Sequence, residues 1–338
     1  MRLRSHTQRW TARRAITFPL KSVINLTTPE QVEELLCVIK RRNEIALEIE
    51  ILEVSADAFD RSAFKSIREV LYRTRNITDL VLRFSFQPIR ILPTTIVLHR
   101  LTSLDVNIAH ATVAQLLRTH PHIENLTLGP CNDTLHCPLA GLSLHFLQCL
   151  TCPPGCVRAL TENSIVYRLI ATYDGVRHVR FPILRLLDFR PIETCAVLTT
   201  LHIDFDHTAE RLFLRISAAA PALVYLKLTE SLSSSEVAPM PWDDKESWEA
   251  GLRSLLSLKN LLLRSWRPLR ETMDTEDALI VDLLRFPERL RHVAVWSGAR
   301  RGMGRLVVWD DMETGWQNTY EQVSMNAEDP PIDTAAFV

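Results

Sequence analysis

Eight times between Ile77 and Val295 the chain repeats one phrase, apolar-x-x-apolar-x-apolar: ITDLVL from Ile77, LTSLDV from Leu101, IENLTL from Ile123, LRLLDF from Leu184, LTTLHI from Leu198, LVYLKL from Leu223, LKNLLL from Leu258 and LRHVAV from Leu290. Neighbouring phrases start 24, 22 and 25 residues apart where the pattern is regular, and 35 and 32 towards the end. Within a phrase the second and third apolar positions stand two apart, so they share one face of a strand and the residues between them face the other way. A unit of this length has room for one short strand and one return, and it cannot bury its apolar face alone. Stacking on the next copy makes the core. The fold class read from the period is therefore α/β: an irregular leucine-rich-repeat solenoid of about eight to ten units, with short parallel strands and helical returns.

The returns read as helical. Residues 55–74 space Phe59, Phe64, Ile67, Val70 and Leu71 at helical intervals, with a Ser/Asp pair ahead as the expected cap. In TVAQLLRTHP, SAAAPA and LLRFPE a proline stands just where a helix must have ended, since it lacks the N–H and restricts the residue before it. It stops one element and introduces the next strand. The resulting boundaries are a basic N-terminal segment over 1–40, a solenoid over 41–311, and an acidic, weakly structured tail over 312–338. Expected insertions are 129–141 (GPCNDTLHCPLAG) and 233–248, the second leading into a helix at about 247–257.

Charge narrows the function. With 39 basic and 40 acidic residues the net charge is −1, which provides no surplus for a dedicated nucleic-acid surface. The two ends are oppositely charged, six basic residues and no acid in 1–29 against seven acids and no Lys or Arg in 306–338. The basic start lacks the apolar run of a secretory signal, and no stretch of about 18 apolar residues could span a bilayer. It matches a mitochondrial transit peptide in composition only. Seven cysteines without a secretory signal indicate free thiols in a reducing compartment, cytosol or nucleus. Nine glycines, with no GxGxxG or GxxxxGK[ST], argue against a nucleotide cofactor. No GxSxG, HExxH or other catalytic motif occurs, so the expectation is a protein without enzymatic activity and without a cofactor.

The passage LHFLQCLTCPPGCVRALTENSIVYRLIATY (144–173), and after it VLTTLHIDFDHTAERLFLRISAAAPALVYLKL and LVVWDDMETGWQ, resembles fungal F-box proteins with degenerate leucine-rich repeats. The resemblance covers roughly residues 40–315. It implies partner or substrate recognition by the repeats, with an F-box module docking them onto a cullin-type ubiquitin ligase through its adaptor. The F-box pattern itself is not recognisable ahead of the repeats. RWTARRAITF reads as a remnant of the segment behind a lost F-box, and no docking residue carries over.

In a curved array the outward strand positions form ladders on the concave face, the usual recognition surface of such folds. Here they are Asp79, Arg83, Ser103, Asp105, Asn107, Asn125, Thr127, Asp188, Arg190, Thr200, His202, Asp204, Tyr225, Lys227, Thr229, Asn260, Arg264, His292 and Trp296. Tyr225, Arg264 and Trp296 are of the types enriched in interface hot spots. The competing reading is a solvated sheet face. A second constellation is the cysteine group Cys149, Cys152 and Cys156, with Cys131, Cys137, His136 and His145 nearby. It offers thiolates to zinc, or to a hydrolytic centre, although small thiols packed in a repeat core explain Cys149 and Cys152 equally well. His202, Asp204, Asp206 and His207 offer oxygen and nitrogen ligands from a single strand, which seldom closes a metal site.

Overall fold

The computed structural model describes residues 22–56, 61–84, 92, 96–131, 136–162, 164–171, 196–205, 211–230, 245–265, 289–298, 303–312 and 315–324. Among the described residues thirteen strands form one sheet in strict chain order. They are β1 (Ser22–Leu26), β2 (Ile49–Ala56), β3 (Asp79–Phe84), β4 (Ser103–Val106), β5 (Asn125–Leu128), β6 (Cys149–Cys152), β7 (Arg168–Ala171), β8 (Thr200–Phe205), β9 (Tyr225–Glu230), β10 (Asn260–Arg264), β11 (His292–Gly298), β12 (Met303–Met312) and β13 (Gly315–Ser324). β1 to β11 run parallel, and β12 and β13 turn back antiparallel as a closing hairpin. The helical returns are α1 (Pro29–Arg41), α2 (Asn43–Glu48), α3 (Arg61–Arg73), α4 (His110–Thr119), α5 (Val157–Thr161), α6 (Leu212–Ala219) and α7 (Lys245–Ser254).

The second and third apolar positions of the seven phrases within the described residues point inward as the alternation demands. Leu80 and Leu82, Leu104 and Val106, Leu126 and Leu128, Leu201 and Ile203, Leu226 and Leu228, Leu261 and Leu263, and Val293 and Val295 are all buried in one continuous core. The inward faces of α1 (Val32, Leu36, Ile39) and α3 (Ala63, Ile67, Val70, Leu71) close the core from the other side. Each such side chain contributes ~1.5–3 kcal/mol of transfer free energy, and only because a neighbouring repeat covers it.

A backbone spine fixes the register. The carbonyl of Glu50 accepts the N–H of Thr78, Thr78 that of Thr102, and so on through Glu124, Gln148, Tyr167, Thr199, Val224 and Lys259 to Arg291, every bond 2.8 or 2.9 Å long. From Thr78 onward each of these carbonyls also accepts the following N–H, at 3.0 or 3.1 Å. Both lone pairs are used, so the first turn into every strand is pinned to the repeat before it.

Capping follows the sequence. Thr28 accepts from the Gln31 N–H at 3.4 Å while Gln31 Oε1 accepts from the Thr28 N–H at 3.2 Å, and Pro29 opens α1. α4 stops at Thr119, two residues before Pro121, and α6 at Ala219, two before Pro221. The third proline stop, in LLRFPE, lies outside the described residues.

Several expectations need correction. The solenoid does not begin at 41, because β1 and α1 already belong to it: β1 pairs with β2 and α1 packs on α3. Nor does it end at 311, since β12 and β13 continue the sheet to Ser324. Of the helix expected over 55–74, Ser55 and Ala56 belong instead to β2 and Arg61–Arg73 form α3, while Phe59 lies outside the described residues. β6 and β7 lack a leucine-type residue at the third apolar place, whereas β2 carries the full phrase as IEILEV from Ile49, ahead of the eight copies counted from Ile77. β7 pairs directly with β8, and the LRLLDF phrase lies outside the described residues.

Candidate functional site

Because the strands are in register, the outward positions line up in rows across the open face of the sheet, opposite the helices. One row runs Ile51, Asp79, Ser103, Asn125, Cys149, Arg168, Thr200, Tyr225, Asn260, His292 and Asp310. The next runs Glu53, Val81, Asp105, Thr127, Thr151, Ile170, His202, Lys227, Leu262, Ala294 and Val308. Towards the C-terminal end a third holds Asp204, Thr229, Arg264, Trp296 and Leu306. Glu53 joins the face from the IEILEV phrase of β2, and Arg168 and Ile170 join it from β7, which lacks a leucine-type third position. Asp188 and Arg190 lie outside the described residues, as do Asp206 and His207.

The face changes character along its length. From β2 to β8 it is open, with half-buried or exposed residues of both charge signs. The Arg83 guanidinium makes a two-pronged contact with Asp105, Nε donating to Oδ1 at 3.3 Å and Nη2 to Oδ2, and this bond to Asp105 raises the arginine pKa further. Asn107 is committed to structure: its Oδ1 accepts the Phe84 N–H at 2.9 Å and its Nδ2 donates to the Phe84 carbonyl at 2.5 Å. It ends β3 as another peptide would.

From β9 onward the second and third rows are largely covered, while Tyr225, Asn260, His292 and Asp310 of the first row stay half-buried. Lys227 is 5%, Arg264 9% and Trp296 2% exposed. The Arg264 guanidinium lies 5.2 Å from the Trp296 ring centroid, and Leu262, Ala294, Trp296 and Leu306 form a second buried cluster with Tyr225 and Val308 packed against it. The alternation places Tyr225, Arg264 and Trp296 on the outward face as expected, but two of the three, Arg264 and Trp296, are interior residues. Those two cannot serve as solvent-facing contacts.

Two histidines are held neutral. His202 carries Nε2 3.1 Å from Thr229 Oγ1, and its pKa lies well below 6.5, first through burial and then through the cations Lys227, Arg264 and Arg168. His120 accepts the Leu98 N–H at Nε2 (2.8 Å) and donates from Nδ1 to the Leu116 carbonyl (2.8 Å); burial is the main cause of its lowered pKa. Unfolded, each returns to about 6.5. Between the folded values and 6.5 the unfolded chain therefore binds the extra protons, and stability falls as pH falls. The urea midpoint should drop between pH 7 and 5, with a shallower drop in a double His120→Gln, His202→Gln variant. A midpoint flat over that window would refute this assignment.

Another row runs along the edge where strands begin. Phe146 (52% exposed), Ile165 (58%) and Val197 (42%) each stand three residues before β6, β7 and β8, and His122 stands likewise before β5, its ring 5.2 Å from that of Phe146. The repeating phrase gives no sign of this apolar ridge, since each member lies outside the pattern.

The opposite edge gathers thiols. His110, Cys131, Cys137 and Cys156 place their ligand atoms within 4.8 Å of one another. Of the expected trio only Cys156 belongs. Cys152 is buried in the core, its thiol pushed up mainly by burial, and Cys149 lies half-buried on the open face. His136 and His145 are not members of the group. Burial alone would lower the His110 pKa, but hydrogen bonds to Cys131 and Cys137 outweigh it and raise it to about 10. Bonds from Cys137 and Cys156 hold the Cys131 thiol far below its usual range, and the same contacts push Cys156 up.

An unbroken parallel ladder with helical returns and leucine-type pairs inside defines an irregular leucine-rich-repeat solenoid. No protein-family model matches the sequence, and no curated protein matches it. Among solved structures it is similar to the leucine-rich repeat-containing protein LegL7 from Legionella pneumophila, at 12% identity and a TM-score of 0.37, over 74% of this chain and 75% of that one. A likeness that loose adds nothing to the ladder itself, on which the fold class rests. Among the described residues no helix is long and apolar enough to cross a membrane.

Proposed function

We propose that the chain is a non-enzymatic protein-recognition module, binding another protein on the open sheet face from β2 to β8. One observation carries the reading: over these repeats the outward residues of every row remain accessible, of both charge signs, and aligned, whereas on the later strands Lys227, Thr229, Leu262, Arg264, Ala294 and Trp296 are buried and only the first row stays half-buried. Charged groups spread along rows suit an extended partner. A catalytic centre needs them to converge. The finer version, carried by the resemblance of residues 144–173, makes the module a substrate receptor for a cullin-type ligase in cytosol or nucleus.

An affinity pull-down from native extract, read by mass spectrometry, tests both versions. Recovery of the ligase adaptor supports the finer one. A different partner, lost with the triple variant Arg83→Glu, Asn125→Lys, Arg168→Glu, supports the general one alone. That variant should weaken binding at least tenfold, about 1.4 kcal/mol. Stability should move by only ~0.5 kcal/mol, because the sites are exposed and the Arg83–Asp105 pair is screened. Undiminished binding by the folded variant would move the interface off this face, and the Phe146 ridge would be the next surface to alter.

A further inference from the structure

We propose that His110, Cys131, Cys137 and Cys156 form a structural zinc site that clasps three consecutive repeats. The site is independent of what the open face binds. His110 opens α4 just after β4, Cys131 and Cys137 lie in the connection after β5, and Cys156 ends the tight turn Pro154–Cys156 after β6. In-register strands stand about 4.8 Å apart, so residues at equivalent exits of successive repeats become neighbours. None of the three cysteines is in a disulfide.

The geometry fits a single ion. His110 Nδ1 lies 3.3 Å from Cys137 Sγ and 3.7 Å from Cys156 Sγ. Bonds of about 2.3 Å to sulfur and 2.0 Å to nitrogen, set tetrahedrally, put ligand atoms roughly 3.5–3.8 Å apart. A mutual spread within 4.8 Å leaves no room for a binuclear cluster, whose ligands divide between two metals. The imidazole is already oriented: His110 Nε2 stands 3.0 Å from the Gly129 carbonyl, which can only accept, so Nε2 carries a hydrogen, and Nδ1, which faces the thiols, is the nitrogen that gives up its proton to the incoming ion. Backbone orientation of a ligating histidine is the usual support of a metal ligand. Gly129 is constrained in turn, since a Cβ there would stand 2.6 Å from Asn107 Cα. Four protein ligands leave no position for a water, so the site is structural and gives no support to a hydrolytic centre.

The full chain, produced in zinc-replete medium and desalted, is tested by elemental analysis and by exchange of the metal for cobalt. The expected result is one zinc per chain and the absorption of tetrahedral, thiolate-bound cobalt. Cys137→Ser should retain a small fraction of the metal, and Cys149→Ser all of it. Should Cys137→Ser fail to fold, the wild-type cobalt spectrum decides alone. A metal-free, folded wild type, an octahedral cobalt spectrum, or equal loss in Cys149→Ser would overturn the site.

Discussion

Trp296→Ala should destabilise the protein by about 3–5 kcal/mol, the range for truncating a large buried aromatic. The residue lies on the sheet face that its class of fold usually leaves open, yet it is 2% exposed. Leu306 is its register partner on β12 and Arg264 its partner on β10, whose guanidinium lies over the ring. Removing the ring opens a cavity beside a buried cation, so the cost exceeds that of the lost apolar area alone. The measurement is the urea midpoint at unchanged slope. Trp296→Phe should recover a large part of the loss. A change below about 1 kcal/mol would mean that this end of the face is solvated after all.

Gly251→Ala is the second large effect, and its sign runs against the usual expectation. In an exposed helix interior, glycine to alanine stabilises by ~0.5–1 kcal/mol. Here a Cβ would stand 2.5 Å from the carbonyl carbon and Cβ of Phe213 and 2.7 Å from the Leu214 nitrogen. Those are mainly backbone atoms of α6, so relief requires the two helices to part. The Phe213 and Trp248 rings, 4.3 Å apart, would separate with them. Overpacking of this kind costs ~1–3 kcal/mol and sometimes more, which outweighs the propensity gain. Thermal unfolding of Gly251→Ala beside Gly155→Ala, where nothing lies within 4 Å, checks it. Equal midpoints for the two variants would contradict the close approach of α6 and α7.

The ladder was legible because its signal is periodic. Leu104 with Val106, or Leu226 with Leu228, marks an inward face with no knowledge of the rest of the chain. The strands that escaped show the limit: in β6 and β7 the third inward position is Cys152 or Ala171, small residues that fill a narrow place in the core without reading as leucine-type. The metal cluster was half legible. Its cysteines stand out in the sequence, but spacing such as Cys149 to Cys152 reports neighbours along the chain, whereas a solenoid makes neighbours across it, and His110 stands twenty-one residues before Cys131. Exposure was the least legible property. Alternation says which way Lys227, Arg264 and Trp296 point, and it says nothing of what lies above them.

The doubled carbonyl bonds have a consequence for how such a chain can vary. The stretch from Gln148 to Tyr167 is 19 residues and that from Val224 to Lys259 is 35, yet the bond closing each is 2.9 or 2.8 Å. The pitch of the array is thus set by the main chain at one point per turn, and the length of each excursion is free to drift. Insertions can accumulate in the returns while the outward residues keep their spacing, as teeth on a rack keep theirs whatever is bolted behind. Selection on the displayed rows and selection on the connecting segments are thereby uncoupled.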